Sequence, residues 1–371
     1  MSGIYIHIPY CRQACTYCNF HFSTNLNTKS DLLRALHLEI DQRHDYLGSS
    51  LIKTVYFGGG TPSLLTANEL LSILGHLKTY FLFDQGTEVT LEANPEDLTP
   101  AYVNELARAG INRLSIGIQS FYAEDMKYMH RSHSPEQSLE SIRNAVDSGI
   151  TNISIDLIYG APTTGMDRWK KNLDTAFGLN IQHLSCYALT IEPKTALAYK
   201  VARELTSGPN DEETILQFEY LMNVCNEHGY EQYEISNFAK PDYRSRHNSS
   251  YWQGEHYLGL GPGAHSYDGL SRQWNVANNN QYIHAFRDDK PYYEIETLTE
   301  TMKYNEYILT SIRTKEGIDM NKVQGTYYAH LNQQMNQWIA GSQLFIEQGH
   351  IKLTKEGKFI ADKISVDLFY E

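Results

Sequence analysis

The sequence has no long hydrophobic run, and this absence excludes one class of protein at once. No apolar stretch approaches the roughly 20 residues that a membrane-spanning helix needs. The N-terminus also lacks the basic region, apolar stretch and small-residue cleavage site of a secretion signal. We therefore expect a cytoplasmic protein, in a reducing compartment that suits free thiolates.

Basic residues are too few for a nucleic-acid binder. The 371 residues include 31 Lys and Arg against 44 Asp and Glu, which gives a formal net charge of −13. Affinity for nucleic acid comes from clustered basic side chains, and no basic run stands out for a membrane surface either. Because 41% of the residues are hydrophobic and the length exceeds one comfortable core, we expect a large folded domain with a smaller appendage.

Cysteine is scarce, with five in the chain, yet Cys11, Cys15 and Cys18 stand within eight residues. A [4Fe–4S] cube is normally held by four thiolates, so a loop that offers three leaves one iron open to a small molecule. Two alternatives remain open. Zinc would need His7 or His21 as a fourth ligand, whereas structural zinc sites usually have a second cysteine pair. A disulfide with one odd thiol is the other option.

Short β-branched runs alternate with helical patterns in the first half of the chain. The runs lie at 4–8, 54–57, 88–92, 113–118, 152–159 and 183–189. Six strand–helix units in series predict a parallel α/β sheet. In barrels of this kind the chemistry gathers at the carboxyl ends of the strands.

Conspicuous residues fall at those ends. Cys11 follows the first strand, three glycines at 58–60 follow the second, Glu92 closes the third and Gln119 closes the fourth, while Asp156 lies within the fifth. The glycines would let a ligand rest on peptide groups, although a flexible turn explains them equally.

Three side chains, two of them at these strand ends, suit a nucleoside as the ligand. Glu92 could accept hydrogen bonds from both ribose hydroxyls, and Gln119 offers a donor and an acceptor. Arg131 supplies a planar fork of donors. Asp156 in an apolar strand is costly unless paired, so a structural salt bridge between Arg131 and Asp156 is the alternative for that pair.

The second half divides less clearly. A helix is predicted at 213–228, followed by a loop-rich segment at 230–280 and a polar linker at 287–291. We therefore expect one domain at 1–292, with a loop-rich extension at about 211–292. The remainder, 293–371, reads as helices with a short β excursion, which is a winged-helix-like pattern that favours an interaction or lid domain over a DNA reader.

The Cys-x3-Cys-x2-Cys loop resembles the start of radical S-adenosylmethionine (SAM) proteins. That resemblance implies a partial (β/α)6 barrel with one open side. In the family, the amino and carboxylate groups of SAM chelate the open iron, and one electron from the cluster cleaves SAM to a 5′-deoxyadenosyl radical. The cofactors implied are a [4Fe–4S] cluster, held by the three cysteines, and SAM.

The remaining motifs are similar to the coproporphyrinogen dehydrogenase-like branch of that family over nearly the whole chain. The positions that match SAM-contacting residues are Tyr5, Tyr17, Gly59, Gly60, Thr61, Glu92, Gln119, Arg131, Asp156 and Ala188.

Within that branch the chain resembles the heme chaperones more than the dehydrogenases. His247-Asn-Ser-Ser-Tyr251-Trp252 matches the chaperones' His-Asn-x-x-Tyr-Trp signature. The resemblance makes His247, Tyr251 and Trp252 the expected heme residues, with imidazole as an iron ligand and an aromatic ring on the porphyrin face. Phe20 stands where dehydrogenases typically carry a fourth cysteine, and the N-terminal extension of the dehydrogenases is missing.

The implied function is a heme chaperone that passes heme to acceptor proteins. The alternative is an oxygen-independent coproporphyrinogen III dehydrogenase, and a zinc-stapled binding protein is a third reading. Heme, its acceptor proteins and an electron donor for the cluster are the expected partners, and the open flank leaves room for a second subunit in a homodimer.

Overall fold

The computed structural model describes residues 2–371, and strands alternate with helices through its first half. The strands are β1 (Ser2–Ile8), β2 (Ile52–Gly59), β3 (Phe83–Ala93), β4 (Arg113–Gln119), β5 (Asn152–Tyr159), β6 (His183–Ala188), β7 (Glu231–Glu234), β8 (Asn237–Ala239), β9 (His256–Leu260), β10 (His265–Tyr267), β11 (Ser271–Asn275), β12 (Tyr293–Thr297), β13 (Ile318–Asp319), β14 (Leu344–Glu347) and β15 (His350–Leu353). The α-helices are α1 (Lys29–Gln42), α2 (Ala67–Tyr80), α3 (Pro100–Ala109), α4 (Ala123–Met129), α5 (Pro135–Asp147), α6 (Met166–Gly178), α7 (Ala196–Ala202), α8 (Asp211–Glu227), α9 (Arg246–Trp252), α10 (Asn279–Asp288), α11 (Glu300–Ile312), α12 (Gly325–Ala340), α13 (Lys355–Lys358) and α14 (Ala361–Asp367).

The six predicted strands form the centre of one large sheet. Its order is β12-β11-β10-β9-β1-β2-β3-β4-β5-β6-β8-β7, and β1 to β6 pair in parallel with their neighbours in chain order. Within residues 2–371 the order begins at β12 and ends at β7, so the sheet stays open. The predicted fold class, a partial (β/α)6 barrel, is confirmed.

Local signals fix where two of the connecting helices begin. Thr66 and Glu69 form a reciprocal capping box at the start of α2, and Ser134 and Gln137 do so for α5. Each box satisfies backbone N–H groups that the first helical turn leaves without partners. The helix α2 follows β2 after a short loop, whereas α4 comes between β4 and α5.

The segment 230–280 contains more regular structure than the expected loops. It contributes β7 and β8 at one edge of the sheet and β9 to β11 at the other. The strand β9 pairs in parallel with β1, with Tyr5 opposite Gly259. These strands are short and rich in polar and tyrosine residues, so they lack the apolar runs by which buried parallel strands are recognised.

The C-terminal residues form a second, smaller core around α11, α12 and α14 and a three-stranded sheet of order β13-β15-β14. This arrangement agrees with the winged-helix-like expectation. The boundary after residue 292 stays a prediction, although β12 lies beyond it and pairs with β11 of the large sheet. Among residues 2–371, no helix is both long and apolar enough to cross a membrane.

Candidate functional site

The three predicted cluster cysteines lie on one loop after β1, and the loop is anchored at both ends. The N–H of Cys11 donates to Ser23 at 3.0 Å, and the N–H of Thr16 donates to Met129 at 3.1 Å. Arg12 on the same loop pairs with the buried carboxylate of Asp97 at 2.9 Å. These protein contacts alone fix the loop against the carboxyl ends of β3 and β4.

Two of the thiols receive hydrogen bonds from residues on neighbouring strands. The Thr61 hydroxyl donates to Cys11 Sγ at 3.4 Å, and Arg131 Nη1 donates to Cys15 Sγ at 3.3 Å. Burial raises the pKa of Cys11 to about 11, so the free thiol is protonated at neutral pH. Iron must therefore displace that proton, and the two donors are placed to stabilise the resulting thiolate charge.

The donor set fits an iron–sulfur cube. All three cysteines are unbridged and partly exposed, so each sulfur can reach an incoming iron. In the described part of the chain, no three His, Cys, Asp or Glu side chains are grouped to hold one metal ion. A cube makes a different demand, because each of its thiolates binds a separate iron.

Glu92 lies near the end of β3, and each of its two carboxylate oxygens accepts a hydrogen bond from a different donor. Oε1 accepts from the Tyr56 hydroxyl at 2.8 Å, and Oε2 accepts from the N–H of Gly59 at 3.1 Å. Burial raises the pKa of Glu92 to about 7, with the nearby Asp156 acting in the same direction. The carboxyl group is thus oriented toward the glycine segment by two donors.

The glycines at 58–60 serve close packing rather than flexibility. A Cβ on Gly58 would lie 2.9 Å from the Tyr5 ring and 3.1 Å from Glu92 Oε1. Gly59 has φ of +110°, and a Cβ there would lie 2.5 Å from the His7 ring. These contacts let Tyr5, His7 and Glu92 converge on the end of β2, where larger residues would separate them.

Arg131 joins two further predicted residues to the cysteine loop. Its Nη2 donates to Asn94 Oδ1 and to the carbonyl of Gly117, both at 2.8 Å. Asn94 in turn donates to Thr61 at 3.3 Å. A Cβ on Gly117 would touch both Gln119 Nε2 and Arg131 Nη2, which places these two side chains next to each other.

The chain of contacts therefore runs from Cys11 through Thr61, Asn94 and Arg131 to Cys15. Gln119 itself has φ of +66°, a backbone conformation that non-glycine residues adopt at a cost. That conformation turns β4 at the point where the polar groups meet.

Asp156 does not form the salt bridge with Arg131 that we considered. Its Oδ1 accepts from Ser115 at 3.4 Å, and burial raises its pKa to about 6. Tyr17 packs against the apolar cluster around Met129 and lies close enough to Arg131 to interact with it electrostatically. Ala188 ends β6 in register with Tyr159, so its strand position, rather than a side-chain contact, places it beside the others.

Three residues of the site escaped the sequence predictions. Asn94 bridges Thr61 and Arg131, Tyr56 holds Glu92, and Arg113 is an almost fully buried cation that lowers the pKa of both Glu92 and Asp156. The sequence signal for Arg113 was its position, a charged residue at the start of a β-branched run. The other two could be found only from the strand register.

The predicted heme segment forms α9, whose first side chain into the core is His247. His247 is 1% exposed, and both ring nitrogens are engaged: Nδ1 with Thr54 Oγ1 and Nε2 with the Tyr251 hydroxyl, each at 2.8 Å. Its ring stacks on Tyr56 at a centroid distance of 4.9 Å. Burial lowers the pKa of His247 to about 3, which keeps the ring neutral. Its role at heme stays a prediction.

Tyr251 and Trp252 border a cavity of about 860 Å³ between the large sheet and the C-terminal residues. Phe20 and His21, just after Cys18, line it as well. Other lining side chains are aromatic (Tyr257, Tyr267, Tyr307), cationic (Arg244, Arg272, Lys303, Lys322), acidic (Glu255, Glu306, Glu316, Asp319) or imidazoles (His7, His265, His350). The cavity thus combines aromatic walls with charges of both signs and imidazole nitrogens, and Phe20 and His21 connect it to the cysteine loop.

Comparison with known proteins agrees with this arrangement. Residues 5–176 match the family model of the radical SAM superfamily. The chain is 32% identical to the heme chaperone HemW of Mycobacterium tuberculosis over 98% of this chain and 93% of that protein. It is 30% identical to HemW of Bacillus subtilis over 98% of both chains, and 35% identical to HemW of Escherichia coli over 71% of this chain and 69% of that one.

The fold has a close counterpart among solved structures. Coproporphyrinogen III oxidase (HemN) of Escherichia coli, described as a radical SAM enzyme, superimposes with a TM-score of 0.86 over 99% of this chain and 90% of that one, at 21% identity. At that identity the likeness establishes the fold alone, whereas the HemW proteins of Mycobacterium tuberculosis and Bacillus subtilis match in sequence over 98% of this chain. The chain belongs to the HemW family of the radical SAM superfamily.

Proposed function

We propose that this protein is a heme chaperone: it binds heme and transfers it to acceptor proteins, and it uses a [4Fe–4S] cluster and SAM. The observation that carries the proposal is the cavity that begins at Phe20 and His21 and is walled by Tyr251 and Trp252. Relatives that carry the name heme chaperone match over 98% of the chain, which supports the same conclusion.

The chemistry of the cavity suits a tetrapyrrole with carboxylate side arms. Tyrosine and tryptophan rings can lie against the flat macrocycle. Arginine forks bind carboxylates in a planar geometry, and imidazole is a common ligand of heme iron. Ser249, Trp252 and Arg272 line the cavity, and each also has a polar atom that is enclosed by protein without a hydrogen-bond partner. A ligand in the cavity therefore meets the ring and guanidinium faces of these residues rather than the enclosed atoms.

In the cofactor site, the proposed roles follow from the contacts. Cys11, Cys15 and Cys18 hold the cluster, while Thr61 and Arg131 stabilise two of the thiolates by hydrogen bonding. When bound, the cluster and SAM supply one-electron chemistry that the side chains alone cannot.

The remaining predicted positions would surround SAM at the carboxyl ends of the strands. Glu92 is placed to accept from ribose hydroxyls once Gly59 releases it, and Gln119 offers an amide beside Arg131. Ala188 ends β6, Gly60 directly follows β2, and Tyr5 and Asp156 lie within β1 and β5.

A cytoplasmic location and an external electron donor are part of the proposal. Three unbridged thiols on one loop require a reducing environment to stay available for iron. The acceptor proteins would approach from the open side of the sheet, where a second copy of the chain could also bind.

Hemin titration of a matched pair of variants tests the proposal. Trp252→Phe and Trp338→Phe each remove a buried, partnerless indole N–H, but only Trp252 lines the cavity. Since Trp252→Phe removes part of an aromatic wall of the cavity, and an aromatic contact contributes about 0.5–1.5 kcal/mol, this variant should weaken hemin binding severalfold. Trp338→Phe should bind like the wild type.

Two results would contradict the proposal. One is hemin binding by the wild type that does not saturate at one equivalent. The other is steady production of protoporphyrinogen from coproporphyrinogen, SAM and a reductant under anaerobic conditions, which would indicate the dehydrogenase reaction instead.

A further inference from the structure

We infer that His265 on β10, rather than His247, supplies the nitrogen that binds the heme iron. This inference rests on the proposed heme-binding function. It assigns to His247 a positioning role in the wall of the cavity, through its hydrogen bond to the Tyr251 hydroxyl.

His247 is already committed to the protein interior. Binding iron through Nε2 would break the hydrogen bond to Tyr251, and binding through Nδ1 would break the one to Thr54. The backbone N–H of His247 also donates to the buried carboxylate of Glu88 at 3.1 Å, and a Cβ on Gly3 would lie 3.3 Å from the ring. The ring is therefore enclosed near the amino ends of β1 and β2, and it is not among the residues that line the cavity.

The other imidazoles of the cavity differ in how many nitrogens they leave open. His7 uses both, with the Tyr5 hydroxyl at 3.1 Å and the carbonyl of His21 at 3.0 Å. His21 uses Nε2 with Asn279 at 2.8 Å, and His350 uses Nδ1 with the carbonyl of Gln348 at 3.2 Å. Within residues 2–371, His265 has no hydrogen-bond partner on either nitrogen, and its side chain is exposed to the cavity.

The backbone around His265 is nevertheless rigid. His265 pairs with Trp274 in the antiparallel ladder of β10 and β11, and its ring lies 6.3 Å from the Trp274 ring. A Cβ on Gly259 would lie 2.0 Å from the carbonyl oxygen of His265, so β9 can approach β10 this closely only because residue 259 is a glycine. An accessible imidazole on a fixed strand is the arrangement that precise metal ligation needs.

The same face of the hairpin carries a partner for the heme carboxylates. Residues directly opposite in an antiparallel pair share a face, as do residues two apart along a strand. His265, Tyr267 and Arg272 therefore project together, and all three line the cavity. Arg272 Nη2 pairs with Glu306 of α11 at 2.6 Å, and Glu306 lines the cavity as well. A guanidinium has five N–H donors, so Arg272 can bind a heme carboxylate while it keeps this ion pair. An iron ligand and a carboxylate-binding cation thus lie on one surface.

Optical spectroscopy of hemin complexes tests the assignment. The variants are His265→Ala, His247→Gln and, as a matched control outside the cavity, His284→Ala at an exposed histidine of α10. Each is reconstituted as the full-length protein, and its cluster content and circular dichroism are compared with the wild type. Removing a residue that only hydrogen-bonds to a metal ligand typically lowers metal affinity about 10- to 100-fold. Removing the proposed ligand itself in His265→Ala should therefore lower hemin affinity at least about tenfold. Its Soret band should also shift.

Added imidazole should restore the wild-type spectrum of His265→Ala, because the small molecule can occupy the vacated position. His284→Ala should resemble the wild type, and His247→Gln at saturating hemin should keep the wild-type spectrum even if its affinity falls.

A wild-type spectrum for saturated His265→Ala would overturn the assignment, as would a spectral change in His247→Gln that imidazole rescues. If the wild type showed no saturable hemin binding, the proposed function itself would be wrong. The two failures are therefore distinguishable.

Discussion

Arg131 is the single residue on which most contacts of the cofactor site meet. It donates to Cys15, Asn94 and the carbonyl of Gly117, and a lysine could keep the charge but not this fork of donors. Hydrogen bonds from charged groups contribute about 1.5–3 kcal/mol each, so Arg131→Lys should lower SAM affinity at least about tenfold. Calorimetric titration of the anaerobically reconstituted protein measures the change.

The exposed Arg108 of α3, replaced by lysine, is the control for that measurement. If Arg131→Lys bound SAM as tightly as Arg108→Lys, Arg131 would have no part in the SAM site.

Glu39 gives the chain a pH-dependent stability far from the cluster. Its carboxyl group accepts from the N–H of Gly261, the amide of Asn275 and the Tyr282 hydroxyl, and burial raises its pKa to about 7. A raised pKa means that the folded state binds the proton more tightly than the unfolded chain. The stabilisation is therefore complete below pH 4.5 and is lost as the pH rises through 7.

Glu39→Gln should consequently lose less stability than the wild type between pH 5 and pH 8. The difference is up to about 3 kcal/mol, by the relation of 1.36 kcal/mol for each pKa unit. Denaturant unfolding at the two pH values measures it, with Glu140→Gln on the exposed face of α5 as the matched control. Parallel pH slopes for Glu39→Gln and Glu140→Gln would contradict the prediction.

At the level of the elements, replacing a glycine should cost more stability at the end of β2 than in a helix. Gly59→Ala would force an alanine to φ of +110° and place its Cβ 2.5 Å from the His7 ring, so we expect a loss of about 2 kcal/mol or more. Gly75→Ala in α2 meets nothing within 4 Å and should stabilise the protein by up to about 1 kcal/mol. Thermal unfolding of both variants checks the opposite signs, and equal shifts would show that the packing at Gly59 is looser than described.

The same elements show what a sequence can and cannot reveal. The strands β1 to β6 are readable because a strand buried on both faces must be apolar throughout, and their order in the chain fixes their order in the sheet. The strand β9 is not readable, since its partner β1 lies more than 200 residues away and the choice of partner leaves no local pattern. Residues at strand ends, such as Glu92 and Gln119, were therefore predictable, whereas the hydrogen bonds of His247 to Thr54 and Glu88 depend on pairings distant in sequence.

In the whole molecule, a few ion pairs hold the C-terminal residues against the large sheet beside the cavity, which the neighbouring Tyr233 and Thr314 line. Arg313 after α11 contacts Glu234 of β7 at 3.2 Å, and Glu234 is almost fully buried. Arg313→Gln would leave that carboxylate without its cation. We expect a loss of about 1–3 kcal/mol in unfolding free energy and weaker hemin binding, since the cavity has walls from both sides.

Cluster content and SAM binding should stay at wild-type levels in Arg313→Gln, because the cysteine loop is anchored elsewhere. Arg287→Gln removes a comparable but exposed pair with Asp288 and serves as the control. Equal hemin affinity in the two variants would show that the ion pair does not shape the cavity.

The parallel pairing of β9 with β1 also determines when the site can be completed during synthesis. β1 lies inside the finished sheet, and its second neighbour, residues 256–260, is translated about 250 residues after it. Until then β1 keeps one edge unpaired. The sheet around the start of the cysteine loop can therefore be completed only late in synthesis.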